Sequence, residues 1–301
     1  MIKLGVIGIS KGNGHPYSWS AICNGYNPEH MSSCGFPDIC DYLAKRSWPH
    51  DRLNDVSVTH VWCDKRGQAD HIAKAANIPY VVEQSTDMIG VVDGILLARD
   101  DARLHYQIAQ PFLAAGLPIF IDKPLALSRD EAKRILDLRQ WPGQVFSCSA
   151  MRYAPDMQLN PSEAREVGSI HFIDGVASKS WSKYAVHLLD PILQICKSND
   201  LIRCIQRSSE AGIVSATYAF SCTDKNEKIF RVTTLGDAHS PIELSIFGSD
   251  GSCRLTHSDS FTAFRNSLEQ FVVNTCCRKI AISDNEMLRI VDLIGHGTRL
   301  E

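Results

Sequence analysis

The sequence predicts two domains of different class. The first is an α/β domain with a doubly wound parallel sheet over residues 1–150. The second is an α+β domain with a large, mostly antiparallel sheet over residues 151–301. Three observations carry this. The first half alternates short apolar runs with amphipathic stretches, the rhythm of strands joined by crossover helices. From Met151 that rhythm gives way to closely spaced strands with turn residues between them. A chain of 301 residues also exceeds what one hydrophobic core usually holds, about 250–300 residues.

In chain order, strands are expected at Lys3–Ile9, Val56–Cys63, Tyr80–Val82, Gly94–Ala98, Pro118–Ile121 and Gln144–Cys148. Helical patterns lie between them, including Gln68–Ala75, His105–Ala115 and Arg129–Arg139. Residues 25–55 are rich in Pro, Cys and Asp and show no period, so they read as an insertion after the first helix. In the second half, Ser169–Val176, Ala211–Ser221, Lys228–Leu235, Ile242–Phe247 and Cys253–Thr256 look like strands. The Gly248-Ser249-Asp250-Gly251 segment supplies a tight turn between the last two. Helical patterns appear at Ala185–Cys196, Phe264–Cys277 and Asp284–Gly295.

Composition narrows the function classes. A hydrophobic fraction of 44%, a charged fraction of 22% and a net charge of -3 describe an ordinary globular chain. They offer no basic footprint for nucleic acid, and no apolar run is long enough to span a membrane. The N-terminal apolar stretch is too soon broken by Gly5 and Gly8 for a signal peptide and reads as a buried first strand. Eleven cysteines, odd in number and without a Cys-x-x-Cys, fit reduced and mostly buried thiols in a cytoplasmic protein rather than a disulfide framework or zinc ribbon.

The loop after the first strand, Gly8-Ile9-Ser10-Lys11-Gly12-Asn13-Gly14, precedes a helix. A glycine-rich turn of that kind lets the backbone approach a pyrophosphate, with helix N–H groups facing the charge. The pattern is not a clean G-x-G-x-x-G, since Ser10 and Asn13 hold the second and third glycine positions. A generic strand-to-helix turn therefore stays open as a reading. The second strand ends at Asp64, where an acid would bind adenosine ribose hydroxyls and favour NAD. Lys65 and Arg66 follow at once and would suit the 2′-phosphate of NADP. The insertion explains why Asp64 lies farther from the loop than the usual ~20 residues.

Ile121-Asp122-Lys123-Pro124 places an acid and a lysine at the carboxyl end of a buried strand, where open parallel sheets bind ligands. A lysine there can stabilise an alkoxide developing as hydride leaves. Pro124 invites a cis bond that would turn Lys123 into the cleft.

These motifs, with Val92-Asp93-Gly94-Ile95-Leu96-Leu97-Ala98, Ala114-Ala115-Gly116, Met151-Arg152-Tyr153-Ala154-Pro155 and Ile246–Ser252, resemble the Gfo/Idh/MocA oxidoreductases over most of the chain. The family carries Glu-Lys-Pro where this chain has Asp122-Lys123-Pro124. The resemblance implies a Rossmann domain, a second domain with a large open-faced sheet, bound NAD(P), and assembly as a homodimer or homotetramer through that sheet. It implies a cofactor site of Gly8, Ser10, Lys11, Gly12, Asn13, Asp64, Ala98, Arg99, Asp122 and Lys123. Where the family has a short Thr-Pro loop after the fourth strand, this chain has Arg99-Asp100-Asp101-Ala102-Arg103.

His187 matches the histidine of the family's Asp-x-x-x-His motif, and Lys183 stands where the acid would be. Lys183, His187 and Asp190 fall on neighbouring helical positions. An ammonium in place of a carboxylate disfavours a charged imidazole, so His187 is expected as a neutral base, with Lys183 the alternative proton carrier and Lys123 the electrostatic partner. A metal reading of His187 and Asp190 lacks a third ligand. Arg152, Tyr184, Asp190, His15, Tyr17 and Trp19 are expected to shape the substrate site.

The implied activity is hydride transfer between NAD(P) and a carbinol or keto carbon of a sugar, nucleotide sugar or cyclitol. The His15-Pro16-Tyr17-Ser18-Trp19 opening looks like that of enzymes in surface-polysaccharide sugar pathways. Two other readings stay open. One is a non-redox lyase or glycosidase that uses bound NAD transiently, the other a catalytically inactive nucleotide sensor.

Overall fold

A computed structural model describes residues 1–196, 202–221, 227–298 and 300. The chain divides into two compact units: Met1–Ser147 with Phe264–Met287, and Cys148–Ala263 with Leu288–Glu301.

The first unit is built on strands β1 (Ile2–Gly8), β2 (Val56–Cys63), β3 (Tyr80–Val81), β4 (Gly94–Leu97), β5 (Ile119–Ile121) and β6 (Val145–Phe146). They form one parallel sheet in the order β3-β2-β1-β4-β5-β6. The order reverses between β1 and β4, which opens a crevice at their carboxyl ends. β1 is buried from Leu4 to Gly8 because helices cover both faces of such a sheet. Those helices are α1 (His15–Asn24), α2 (Pro28–Met31), α3 (Pro37–Ala44), α4 (Arg66–Ala75), α5 (His105–Ala114) and α6 (Arg129–Asp137). The helical signals are local ones: Ser128 caps α6 by accepting from the Glu131 N–H, and Asp130 and Glu131 fill its first turn. Phe120 and Phe146 meet edge-on at 4.6 Å, and both lie against Phe271. Burying each ring contributes roughly 1.5–3 kcal/mol.

Residues 25–55 are more ordered than their lack of period suggests. Asn27 caps α2 through its side chain, and α3 buries Ile39 and Leu43, four residues apart. Phe36 and Ile39 lie so close to Gly14 that a Cβ there would collide with both. The insertion thus backs the loop that follows β1.

The second unit holds α7 (Pro161–Val167), β7 (Ile170–Ala177), α8 (Trp181–Cys196), β8 (Ile202–Glu210), β9 (Ile213–Ser221), β10 (Glu227–Thr234), β11 (Glu243–Gly248) and β12 (Ser252–Thr256). Its six strands run β12-β11-β7-β10-β9-β8, antiparallel except for the β7–β10 pair. Helix α9 (Ser260–Val273) starts in this unit and ends in the first, and α10 (Asp284–Thr298) runs the opposite way. Within the unit, the Trp181 indole donates to the Ile294 carbonyl at 2.7 Å and the Tyr218 hydroxyl to the Leu293 carbonyl at 2.8 Å. The other sheet face is open, with Phe172 and Phe247 stacked at 6.0 Å and Arg231 paired to Asp174.

Several expectations need correction. β8 was not anticipated. The helix expected over Phe264–Cys277 starts earlier, at Ser260, and stops at Val273. Cys276 and Cys277 lie in a 3-10 turn beyond it. The cysteines are less buried than expected: among the described residues Cys23, Cys34, Cys63 and Cys148 are buried, five are half-buried and Cys277 is exposed. No helix among the described residues is long and apolar enough to cross a membrane.

Candidate active site

In the first unit the expected residues of the crevice converge from three loops. Gly8 ends β1 against α1, where a Cβ would collide with the Pro16 ring. Gly12 sits at φ +80, with nothing within 4 Å of where a Cβ would stand. That backbone is open to a ligand, as a pyrophosphate-binding turn requires. Lys11 is exposed beside it. Ser10 donates from Oγ to Asp100 Oδ1 at 2.6 Å and accepts from the Asp100 N–H at 3.1 Å. The loops after β1 and β4 are thereby tied together. These residues fit a dinucleotide: a free turn backbone, the crossover point of the sheet, and Asp64 at the end of β2 with its side chain 56% exposed.

Asp122, at the end of β5, is 1% exposed and fully committed. Its Oδ2 takes the His15 Nδ1 at 2.6 Å and the Asn13 Nδ2 at 2.7 Å, and its Oδ1 takes the Lys123 N–H at 2.7 Å. Burial alone would push this carboxyl up. His15, Lys123 and Asn13 outweigh that and hold it well below the usual carboxylate range. Facing an ionised oxygen, His15 Nδ1 carries the hydrogen, which leaves Nε2 as the ring atom for other chemistry. The ring lies stacked on Trp19 at 4.9 Å and edge-on to Phe264 at the same distance. Lys123 is buried beside Asp122, and the Lys123–Pro124 bond is cis.

The aromatic opening of α1 splits by face. Trp19 is 2% exposed, stacked between His15 and Phe120, and acts as the platform beneath His15. Tyr17 points the other way, its hydroxyl 2.7 Å from His71 Nδ1, with burial pushing it up to about 12. The structure therefore does not bring Tyr17 together with His15. Ala98 and Arg99, after β4, are both buried. Arg66 is engaged by Asp70 at 3.0 Å and by Glu83.

In the second unit α8 presents His187, Asp190 and Gln194 along one side, facing the turn Ala150–Tyr153. His187 Nδ1 lies 2.7 Å from Ser149 Oγ, which also accepts from the Met151 N–H at 3.1 Å. Asp190 Oδ2 accepts from the Ser149 N–H at 2.8 Å, and its Oδ1 pairs with Arg152 Nη1 at 2.9 Å. With its amide oxygen turned toward the guanidinium, Gln194 accepts from both terminal nitrogens of Arg152 at 2.9 and 3.0 Å. The Tyr184 ring meets His187 edge-on at 5.1 Å, and its hydroxyl accepts from Lys179 Nζ at 2.6 Å. Lys183 is half-buried one helical turn before His187.

Reading the sequence missed three participants. Ser149 is the link between His187 and Asp190, but a serine at a strand end carries no motif. His105 is fully buried, its ring nitrogens 3.0 Å from the Leu125 carbonyl and 2.8 Å from the Arg99 carbonyl. It locks the loop after β4 to the segment following Lys123. Asp101 grips one edge of the Arg99 guanidinium with both its oxygens.

Fold and loops define the class: a Rossmann dinucleotide-binding unit joined to an α+β unit with an open sheet. Residues 40–149 match the model of the Gfo/Idh/MocA oxidoreductase family, NAD-binding Rossmann fold. Over those residues the resemblance read from the sequence is borne out, and the NAD-binding Rossmann fold it implies with it. Among solved structures, myo-inositol 2-dehydrogenase from Lactobacillus plantarum superposes with a TM-score of 0.69 at 14% identity, over 99% of this chain and 96% of that one. Apo scyllo-inositol dehydrogenase from Lactobacillus casei gives 0.68 at 13%, over 98% and 94%. A Gfo/Idh/MocA family oxidoreductase from Vibrio cholerae gives 0.66 at 13%, over 100% and 98%. At such identities these likenesses speak to the fold. No curated protein matches the sequence.

Proposed function

We propose that the chain is a nicotinamide-dependent dehydrogenase or reductase acting on a carbinol or keto carbon of a cyclitol, sugar or nucleotide sugar. The observation that carries this reading is the buried lysine after β5, beside a carboxylate held ionised, at the carboxyl edge of a sheet whose order reverses at β1 and β4. The inositol dehydrogenases that share the fold support the polyol class. Asp64 favours NAD over NADP.

The dinucleotide, when bound, takes or supplies the hydride. In this reading the Lys123 ammonium donates to the reacting oxygen and stabilises its developing negative charge. His187 accepts the hydroxyl proton during oxidation. Its Nδ1 rests on Ser149, a hydroxyl that can either donate or accept. The imidazole can therefore exchange tautomers as a proton arrives or leaves, which a group working in both directions needs. Lys183, Arg152 and Tyr184 orient the substrate. Assembly through the open sheet face and a role in surface-polysaccharide sugar synthesis belong to the same proposal.

The test follows reduced-nicotinamide absorbance while inositols, hexoses and nucleotide sugars are added to the protein with saturating NAD or NADP. Stoichiometric accumulation supports the proposal, and Lys123→Met should then lower turnover by roughly 10²–10⁴. His187→Ala and Lys183→Ala assign the proton step by which of them falls in the same range. Absorbance that rises and decays without accumulation replaces this reading with the lyase one. Silence across the panel, with dinucleotide bound, replaces it with a sensor.

A further inference from the structure

Arg99 makes a contact that spans the sheet. It follows β4, and its partner Asp64 follows β2, with β1 standing between those strands. Its Nη1 donates to Asp64 Oδ2 at 2.7 Å, while Nε and Nη2 grip both oxygens of Asp101 at 3.0 and 2.7 Å. The guanidinium side chain is only 6% exposed, against 56% for Asp64. The contact thus joins a buried arginine to an exposed carboxylate. Its backbone is fixed as well, because the Arg99 carbonyl lies 2.8 Å from the buried His105 ring.

The charge distribution then discriminates between cofactors. A free arginine near an adenosine ribose would be the natural host of a 2′-phosphate. Here the guanidinium is spent on two carboxylates, leaving the group net negative, and Asp100 adds a further acid tied to Ser10. Arg66, next after Lys65, is held by Asp70 and Glu83. Lys65 itself is exposed. Burial weakens the charge on Arg99, but Asp101 and Asp64 more than restore it, so the ion pairs persist.

We propose that Arg99 sets dinucleotide selectivity in this chain: clamped by Asp101, it fixes Asp64 as an acceptor for ribose hydroxyls, and the two carboxylates leave no net positive charge there for a 2′-phosphate. Arg99 is a positioning residue, acting through Asp64. The inference rests on the dinucleotide-binding reading above and adds the residue that decides between NAD and NADP.

The experiment measures dissociation constants for NAD and NADP by titration calorimetry on the full chain, without substrate. The unmodified protein should prefer NAD by at least about tenfold, the scale of one charge-assisted hydrogen bond gained or lost. Arg99→Met should weaken NAD by about tenfold with no gain for NADP, since Asp64 loses its tether. Asp64→Ala should weaken NAD and strengthen NADP, because Arg99 is released toward the phosphate. The double substitution should lose that NADP gain. A general structural role for Arg99 would weaken both dinucleotides alike and leave their ratio unmoved. If Arg99→Met fails to fold, Arg99→Lys and Asp64→Asn read the same ratio in a milder form. A ratio unmoved by these changes, or an unmodified protein that prefers NADP, overturns the inference alone. Binding of neither dinucleotide overturns the cofactor reading and this inference with it.

Discussion

Each unit pins a histidine with a buried carboxylate, and the two do it differently. In the first, Asp122 touches the ring directly, so the Nδ1–H of His15 is dictated and the side chain is locked between Trp19 and Phe264. In the second, a serine hydroxyl stands between. Asp190 holds the Ser149 backbone and Arg152, and the Ser149 Oγ meets His187. A carboxylate at the ring fixes one tautomer, whereas a hydroxyl leaves both accessible. The comparison teaches that proximity of an acid to a histidine does not define a proton-transfer group. What matters is whether the contact fixes the tautomer or lets it change.

The sharpest way to break this comparison is to remove the second unit's acid. Asp190 and Arg152 are 2% and 8% exposed, so Asp190→Ala would leave a guanidinium buried against an empty site and orphan the Ser149 N–H. Losing one member of a buried pair typically costs about 3–5 kcal/mol. Denaturant unfolding should show a loss on that scale, with Asp190→Asn costing less. A variant as stable as the parent would mean that Asp190 is not the anchor of this network.

A smaller, pH-dependent effect distinguishes the first unit. Burial opposes the Asp122 charge, yet His15, Lys123 and Asn13 hold its folded value below the unfolded one. A depressed folded value gives stabilisation that is complete above the unfolded pKa, about 3.9, and is lost as pH falls through the folded one. The thermal midpoint of the unmodified protein should therefore fall more steeply below about pH 4 than that of Asp122→Asn. Parallel acid limbs in the two proteins would show that Asp122 is not held ionised by its neighbours.

Both networks mark the limit of what the amino-acid order discloses. β1 was readable because a parallel strand covered on both faces must be apolar throughout, as Leu4, Val6 and Ile7 are. Lys123 was readable because an acid, a lysine and a proline after an apolar run form a local pattern. β8 was hidden: Gln206 to Glu210 are all exposed, so no buried face imposes alternation. Helix α3 was hidden by its length, since eight residues hold barely two apolar turns. The pairing of His15 with Asp122 joins residues 107 apart, and that of Arg99 with Asp64 joins residues 35 apart. Such contacts follow from strand order, which no local window contains. Ser149 was invisible for a related reason, because its role exists only once α8 lies beside it.

The smallest effect belongs to an ion pair that looks as good on paper as the Arg152–Asp190 contact. On the open face of the second sheet, Arg231 Nε meets Asp174 Oδ1 at 2.8 Å and Nη2 meets Oδ2 at 2.5 Å, a bidentate arrangement between adjacent strands β10 and β7. The difference lies in the solvent. Arg231 is 47% exposed and Asp174 20%, so water already satisfies both ions in the unfolded chain and screens them in the folded one. Exposed pairs of this kind usually contribute about 0–1 kcal/mol. Arg231→Ala should accordingly shift unfolding by less than about 1 kcal/mol, and raising salt should shrink even that. A loss comparable to that of Asp190→Ala, insensitive to salt, would mean that this face is covered in solution. The open sheet would then be an interface, and its charges would be buried in the assembly rather than solvated.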